Sequence, residues 1–128
     1  FGVYDDATHT LTYTNAGHNF PLHCHADGSI CELRQSNLVV GVREGIRYDE
    51  HTITVQSGDA LIFYTDGITE ATNANWEEFG VERLNEVIRQ NHFHPAEHIR
   101  NAIYEAVHQF AGDTAQADDL TLVVVKVK

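Results

Sequence analysis

The sequence predicts an α+β sandwich in which helices cover antiparallel sheet. β-Rich runs with turn signals fill the first two thirds, two helical stretches follow, and a last apolar strand closes the chain. Strands joined by short turns favour antiparallel pairing, and helices that follow them pack on the sheet. The 128 residues fit one domain. Because Phe1 opens the chain within a β-rich run, we expect residues 1–128 to be part of a longer protein.

Two hairpins are predicted in the first third of the chain. Residues 1–4 and 10–16 are β-rich and flank a polar turn cluster. Residues 21–26 and 30–34 flank an Asp-Gly pair at 27–28, which is a strong signal for a two-residue turn. Both pairs are therefore expected to be antiparallel.

Three later runs also predict strands. Residues 51–55 alternate apolar and polar with period two, which is typical of a half-buried strand. Residues 60–64 and 120–127 are apolar on both faces, so we expect both to be buried strands, covered from two sides.

Two helices lie between these last strands. In residues 79–91 apolar side chains recur at helical spacing, at Val81, Leu84 and Ile88. The second helix starts at Pro95 and stops at Gly112. Its apolar stripe consists of Ile99, Ala102, Ile103, Ala106, Val107 and Phe110. We expect this stripe to face a sheet and the opposite helix face to be solvated.

The charge balance excludes several classes of partner. Lys and Arg number 8 against 19 Asp and Glu, for a net charge of −11 with the His neutral. Nucleic acid and anionic membrane surfaces bind clustered Lys and Arg, so neither is expected as a partner. A phosphorylated substrate would need divalent cations to reverse the local field. Two Cys build no disulfide scaffold, and we expect a reduced, cytoplasmic chain.

Acidic residues stand at the ends of the two strands that are apolar on both faces. Asp66 follows the first strand, and Asp118 and Asp119 precede the second. Carboxylates on such stiff supports can converge, and hard oxygen ligands suit Mg²⁺ or Mn²⁺. Gly67 would let the backbone approach a ligand or cation closely. The alternative is an ordinary Asp-Gly turn and a solvated strand start, which the residue types alone favour.

Three ordered motifs change that balance. They occupy residues 11–22 (LTYTNAGHNFPL), 57–73 (SGDALIFYTDGITEATN) and 117–125 (ADDLTLVVV), and residues 77–80 (EEFG) lead into a helix. In this order and spacing they resemble the bacterial SpoIIE/RsbU branch of the metal-dependent protein phosphatases, the PPM or type 2C family. The resemblance covers essentially the whole chain, and three ordered motifs are more specific than one.

The resemblance implies a four-layer α-β-β-α sandwich of two antiparallel sheets. It also implies a centre of two Mn²⁺ or Mg²⁺ ions that hydrolyses phosphoserine or phosphothreonine. By position, Asp66 and Asp118 match metal-binding aspartates of the catalytic centre. Gly67 and Asp119 adjoin them in the same metal site. His18 occupies a strand end where relatives carry an acidic residue, so we expect it near the metals or bonded toward the phosphate.

The same resemblance implies a biological role. It predicts the output domain of a bacterial signalling protein, controlled by an upstream sensor or regulatory domain and acting on a phosphorylated anti-sigma-factor antagonist. One departure matters, because the family's first acidic motif, a Gly-Asp followed closely by another Asp, does not occur ahead of Leu11. We therefore expect residues 1–128 to be the C-terminal part of the phosphatase domain, lacking N-terminal elements. The fragment would be a poor phosphatase with a sheet edge free to form a homodimer. The alternative function is a catalytically incomplete module of the same fold that regulates through protein-protein contact.

Two groups of histidines suggest other metal chemistry. His23 and His25 share one face of a strand, and Cys31 follows on the paired strand. A Zn²⁺ or Cu²⁺ site is conceivable, but the spacing matches no closed zinc pattern, and exposed strand residues are the favoured interpretation. His94 and His98 can share a helix face, where solvated positions are favoured.

Overall fold

The computed structural model describes residues 1–114 and 119–128. Its elements, in chain order, are β1 (Gly2–Asp5), β2 (Thr10–Tyr13), β3 (Leu22–Cys24), β4 (Ile30–Glu32), β5 (His51–Thr54), β6 (Ala60–Tyr64), α1 (Asp66–Thr69), α2 (Gly80–Asn91), α3 (Ala96–Ala111) and β7 (Leu122–Lys126). Within the described ranges, no helix combines the length and the apolar character that a membrane crossing requires.

The strands form two antiparallel sheets. One has three strands in the order β1-β2-β5, and the other has four in the order β4-β3-β6-β7. Both predicted hairpins are confirmed, as β1–β2 and β3–β4. At the second turn Gly28 has a φ of +85°, a conformation that glycine adopts without strain. The Asp-Gly signal therefore located the turn correctly.

Two hydrophobic layers hold the sheets and helices together. The layer between the sheets is built from Leu11, Tyr13, Leu33, Val55, Leu61 and Val127. The layer between the four-stranded sheet and the helices includes Leu22, Ile62, Leu84, Ile88, Ile99, Ile103 and Val107. The predicted α+β sandwich of two antiparallel sheets with helices outside is confirmed. In the part of the chain that the structure describes, the helices cover the four-stranded sheet.

The last strand is less buried than its composition predicted. β6 lies between β3 and β7, and four of its five residues are buried, as expected for a central strand. β7 instead forms an edge of the sheet, and its Val123 is 51% exposed. Val123 is apolar and yet exposed, so the apolar pattern on both faces was a poor guide to burial at the sheet edge.

The helices follow their predicted patterns closely. α2 starts one residue after Phe79, and its Leu84 and Ile88 are fully buried. α3 starts directly after Pro95 and ends at Gly112, whose N–H donates to the His108 carbonyl. The polar face of α3 is exposed, as predicted, at Glu97, Arg100, Asn101, Glu105 and His108. The apolar stripe of α3 is therefore a core element.

A buried carboxylate fixes the turn that leads into β6. Asp59 is 2% exposed, and it accepts hydrogen bonds from the N–H groups of Ala26 and Gln56, both at 2.9 Å. His23 Nε2 lies 2.7 Å from Asp59 Oδ2. Burial by itself would raise the pKa of Asp59, but these hydrogen bonds outweigh it and hold the pKa below its ordinary value.

Replacing Ile103 with Asp should lower the free energy of unfolding by roughly 3–5 kcal/mol, because Ile103 is 0% exposed and a carboxylate there would be buried without a partner. Asn101→Asp, on the exposed face of the same helix, is the matched control and should change it little. Urea denaturation of both variants measures the difference. Equal stability of the Ile103→Asp variant and the parent would exclude α3 from the core.

Because of Asp59, the free energy of unfolding should fall as the pH is lowered into the acid range. Because its folded pKa is lowered, its contribution is complete above the unfolded value of about 3.9 and is lost as pH falls through the folded pKa. The stability gap between the parent and Asp59→Asn, measured by urea denaturation, should therefore narrow in acid. The matched control is Asp49→Asn, an exposed aspartate outside this turn. A gap that stays constant with pH would contradict this account.

Candidate functional site

Asp66 lies directly beyond the C-terminal end of β6. It is the first residue of the four-residue helix α1, and Thr65 before it is extended, with a ψ of 160°. Ile68 in the same turn is fully buried, which anchors the short helix on the core. Asp66 itself is exposed. A turn anchored on the core therefore presents this carboxylate to solvent, where a metal ion could reach it.

Thr65 connects this turn to the segment before β7. Its N–H donates to the Thr121 carbonyl at 3.1 Å, and its hydroxyl donates to the Asp119 carbonyl at 3.1 Å. The same hydroxyl oxygen accepts the Thr121 N–H at 3.0 Å. Three hydrogen bonds thus join residues more than fifty positions apart in sequence. They hold Asp66 and Asp119 on adjoining segments of chain.

The backbone of Asp119 comes so close to residue 67 that only glycine fits there. A Cβ at this position would stand 2.5 Å from the Asp119 carbonyl oxygen, a distance that real Cβ atoms do not reach. The sequence predicted a close approach here but assigned it to a ligand or cation. In the structure it is the Asp119 backbone that approaches.

Two of the three predicted acidic residues are described, and their chemistry fits a hard cation. Asp66 and Asp119 are both exposed carboxylates on the segments that Thr65 joins. This is an all-oxygen donor set, which favours Mg²⁺ or Mn²⁺ over metals that seek nitrogen or sulfur. Asp118 lies outside the described residues, so its predicted closeness to Asp66 stays a prediction.

His18 lies in a turn built by a buried asparagine. Asn15 is 5% exposed; its Oδ1 accepts the His18 N–H at 2.8 Å and its Nδ2 donates to the His18 carbonyl at 2.9 Å. The exposed imidazole borders a cavity of about 360 Å³, whose lining also includes Phe63 of β6. His18 is thus placed near the end of the strand that leads to Asp66, and its role toward metal or phosphate remains a prediction.

Two residues that hold the backbone around Asp66 and His18 were not recognised in the sequence. Thr65 and Asn15 belong to the quoted motifs, but each acts by bonding backbone rather than by touching a ligand. Their signal is a small polar side chain at the end of a buried strand, where an orphaned backbone group needs a partner.

The interpretation of His23 and His25 as exposed strand residues is wrong for His23. Its exposure is 4%, and its ring nitrogen pairs with Asp59. His25 is half-buried and Cys31 is exposed. The two imidazoles do share one face, as predicted, with ring centroids 4.0 Å apart.

Comparison with known proteins identifies relatives over the whole chain. The family model described as Stage II sporulation protein E (SpoIIE) matches residues 1–128. Protein IcfG of Synechocystis sp. is 30% identical over 125 residues, which are 98% of this chain and 20% of that protein. Phosphoserine phosphatase RsbU of Bacillus subtilis is 27% identical over 131 residues, covering 100% of this chain and 38% of that protein. The chain thus spans between a fifth and two fifths of these relatives.

The fold is also similar to a solved structure. The manganese-presoaked phosphatase domain of the cell fate determinant SpoIIE from Bacillus subtilis matches with a TM-score of 0.75 at 16% identity. The match covers 99% of this chain and 55% of that one. Two antiparallel sheets with outer helices are therefore common to both.

Gly67→Ala should disrupt the junction between the α1 turn and Asp119, since its Cβ would meet a backbone oxygen that cannot rotate away. We expect a lower melting temperature and weaker Mn²⁺ binding, read by thermal denaturation and calorimetric titration. Gly2→Ala is the matched control, because its Cβ would have ordinary contacts of 3.5 Å or more. Unchanged stability and Mn²⁺ affinity in Gly67→Ala would refute the proposed role of this contact.

Proposed function

This chain belongs to the SpoIIE family, and from that we propose that it is the output domain of a metal-dependent serine/threonine protein phosphatase. The observation that carries the proposal is the set of three Thr65 hydrogen bonds, which holds Asp66 and Asp119 on adjoining segments at the edge of the sandwich. A shared fold does not by itself establish a function, which has to be argued from the residues of a site. Here the acidic side chains on the two adjoining segments are the residues from which we argue it.

Asp66, Asp118 and Asp119 would hold Mn²⁺ or Mg²⁺. When bound, two such ions clamp the attacking and leaving oxygens of a phosphoryl transfer and activate water near neutral pH. The chain's own task is to fix the carboxylates: Thr65 holds the two segments together and Gly67 permits their close approach. The cations would also offset the net charge of −11, which otherwise repels a phosphoprotein.

His18 would act on the phosphate side of this centre. Its backbone is fixed by Asn15, and its exposed imidazole borders the cavity that Phe63 also lines. An imidazole in that position can donate a hydrogen bond to a phosphoryl oxygen or to a leaving serine or threonine oxygen. We assign it that hydrogen-bonding role rather than metal ligation, because the lining described for the cavity that it borders includes neither Asp66 nor Asp119.

The substrate we propose is a phosphorylated anti-sigma-factor antagonist, in the cytoplasm of a bacterium. Support comes from the relative RsbU, whose name describes a phosphoserine phosphatase. An upstream sensor or regulatory domain would control the activity, since the relatives are longer than the region they share with this chain. Homodimer formation through a sheet edge is part of the same proposal.

A second candidate function is a module of the same fold that binds a partner without turnover. The observation that favours it is the small number of carboxylates at the junction, where Thr65 joins the segments that carry Asp66 and Asp119. With Asp66, Asp118 and Asp119 alone, a cation would keep more of its water and bind weakly, since affinity depends on ligand number and charge. Residues 1–128 by themselves should then be slow in catalysis.

Phosphate release from a phosphoserine protein with Mn²⁺ tests the two candidates. If the chain is a phosphatase, Asp66→Asn and Asp118→Asn should each lower the rate at least about a hundredfold, because each removes a charged metal ligand. The matched control is Asp49→Asn, an exposed aspartate outside the motifs, which should keep the parent rate.

The outcomes separate the candidates. Turnover that depends on Mn²⁺ and on Asp66 supports the phosphatase, and robust turnover by residues 1–128 alone would show that the family's first acidic motif is dispensable. Partner binding without phosphate release supports the regulatory module. Release that is insensitive to both aspartate substitutions would refute the proposed site.

A further inference from the structure

A second cluster of metal-binding side chains lies on the β3–β4 hairpin. His23, His25 and Cys31 each offer one ligand atom, and the three atoms lie within 4.8 Å of one another. The hairpin creates this arrangement: His23 and His25 are two residues apart and share a strand face, and Cys31 pairs directly opposite His23.

This cluster is separate from the acidic site. Asp59, which contacts His23, precedes β6, and Asp66 follows it. The five residues of β6, at about 3.3 Å each, place at least about 16 Å of strand between them. The ligand chemistry differs as well, because the hairpin offers nitrogen and sulfur whereas the acidic site offers oxygen.

The distance between His25 and Cys31 suits a tetrahedral metal ion. His25 Nε2 lies 3.7 Å from Cys31 Sγ. Nitrogen and sulfur ligands at about 2.1 and 2.3 Å from a tetrahedral zinc ion stand about 3.6 Å apart. The pair is therefore already at the spacing that a shared zinc ion would impose.

Asp59 hydrogen-bonds the His23 ring and lies close to the His25 ring. Its Oδ2 is 2.7 Å from His23 Nε2 and 3.9 Å from His25 Nδ1, and backbone N–H groups fix the carboxylate. A carboxylate behind a ligating histidine fixes the ring and raises its basicity. With Nε2 engaged, His23 has Nδ1 left for a metal, and His25 has Nε2, the atom near Cys31.

Two separate hydrogen bonds explain less of this arrangement than one shared ion. The His23–Asp59 bond accounts for His23, and a thiol–imidazole bond of 3.7 Å accounts for His25 and Cys31, but neither bond requires all three ligand atoms to lie within 4.8 Å of one another. Both of these residues are open enough to solvent for an ion to enter.

We propose that His23, His25 and Cys31 form a zinc site, positioned by Asp59. Three protein ligands leave the fourth tetrahedral position to a solvent molecule. The ion would join β3 to β4 at one end of β6, and its binding would stabilise the folded chain by mass action. Soft and borderline metals would enter this site, and Mg²⁺ or Mn²⁺ would not.

Titration of the reduced chain with Co²⁺ and Zn²⁺, with Mg²⁺ in excess to occupy the acidic site, tests this proposal. Co²⁺ should give one equivalent of a tetrahedral spectrum with a thiolate-to-metal charge-transfer band, and Zn²⁺ should displace it. Cys31→Ser should abolish that band, and Cys31→Ser and His25→Ala should each weaken Zn²⁺ binding at least tenfold. Neither residue is fully buried, so both variants should fold, which far-ultraviolet circular dichroism checks.

His98→Ala is the matched control. His94 and His98 also have ring centroids 4.0 Å apart, but this pair has no thiol among its described contacts. The control should keep the charge-transfer band and the parent Zn²⁺ affinity. A Co²⁺ spectrum without a sulfur band, or Zn²⁺ binding that is lost in His98→Ala and kept in Cys31→Ser, would overturn the proposal. Neither readout depends on phosphatase activity.

Discussion

The junction that carries Asp66 and Asp119 depends on the hydrogen bonds of one residue, Thr65. Its hydroxyl donates to the Asp119 carbonyl and accepts the Thr121 N–H, while its own N–H bonds the Thr121 carbonyl. These bonds continue the β6–β7 ladder one step past the last strand pair, at the point where β6 ends and α1 begins. Because the ladder continues, the chain segments that carry the acidic residues leave the sheet together instead of diverging.

The polar residues discussed above lie at the two ends of β6. β6 is the most buried strand, with one neighbour on each side and hydrophobic layers on both faces. Such a strand cannot shift without disturbing both cores, so the residues just beyond its ends are held in place. Asp59 stands before it and Asp66 after it. A rigid centre with polar ends is what precise ligand placement requires.

Much of this architecture could be predicted from the sequence, and the exceptions have physical causes. Local signals located the hairpins and α3, because turn residues and helical periodicity act over a few residues. Whether a strand lies at the edge of a sheet depends on residues far away in sequence. The exposure of Val123 was therefore not predictable from an apolar run. The burial of His23 depended on Asp59, thirty-six positions away, and no pattern within either segment announces that pair. Gly67 was singled out correctly, but for a partner that only the fold identifies.

The chemistry of the two ends explains how they can stay independent. Carboxylates beyond the C-terminal end of β6 select hard cations, whereas imidazoles and a thiol beside its N-terminal end select borderline and soft ones. Asp59 is a carboxylate at the N-terminal end of β6, but it is not expected to bind a hard cation there. Its oxygens already accept hydrogen bonds from two backbone N–H groups and pair with His23. A carboxylate so occupied orients a ring better than it binds Mg²⁺. The proposed hydrolytic centre and the proposed zinc ion would therefore lie at opposite ends of one strand, and neither metal would compete for the other's ligands.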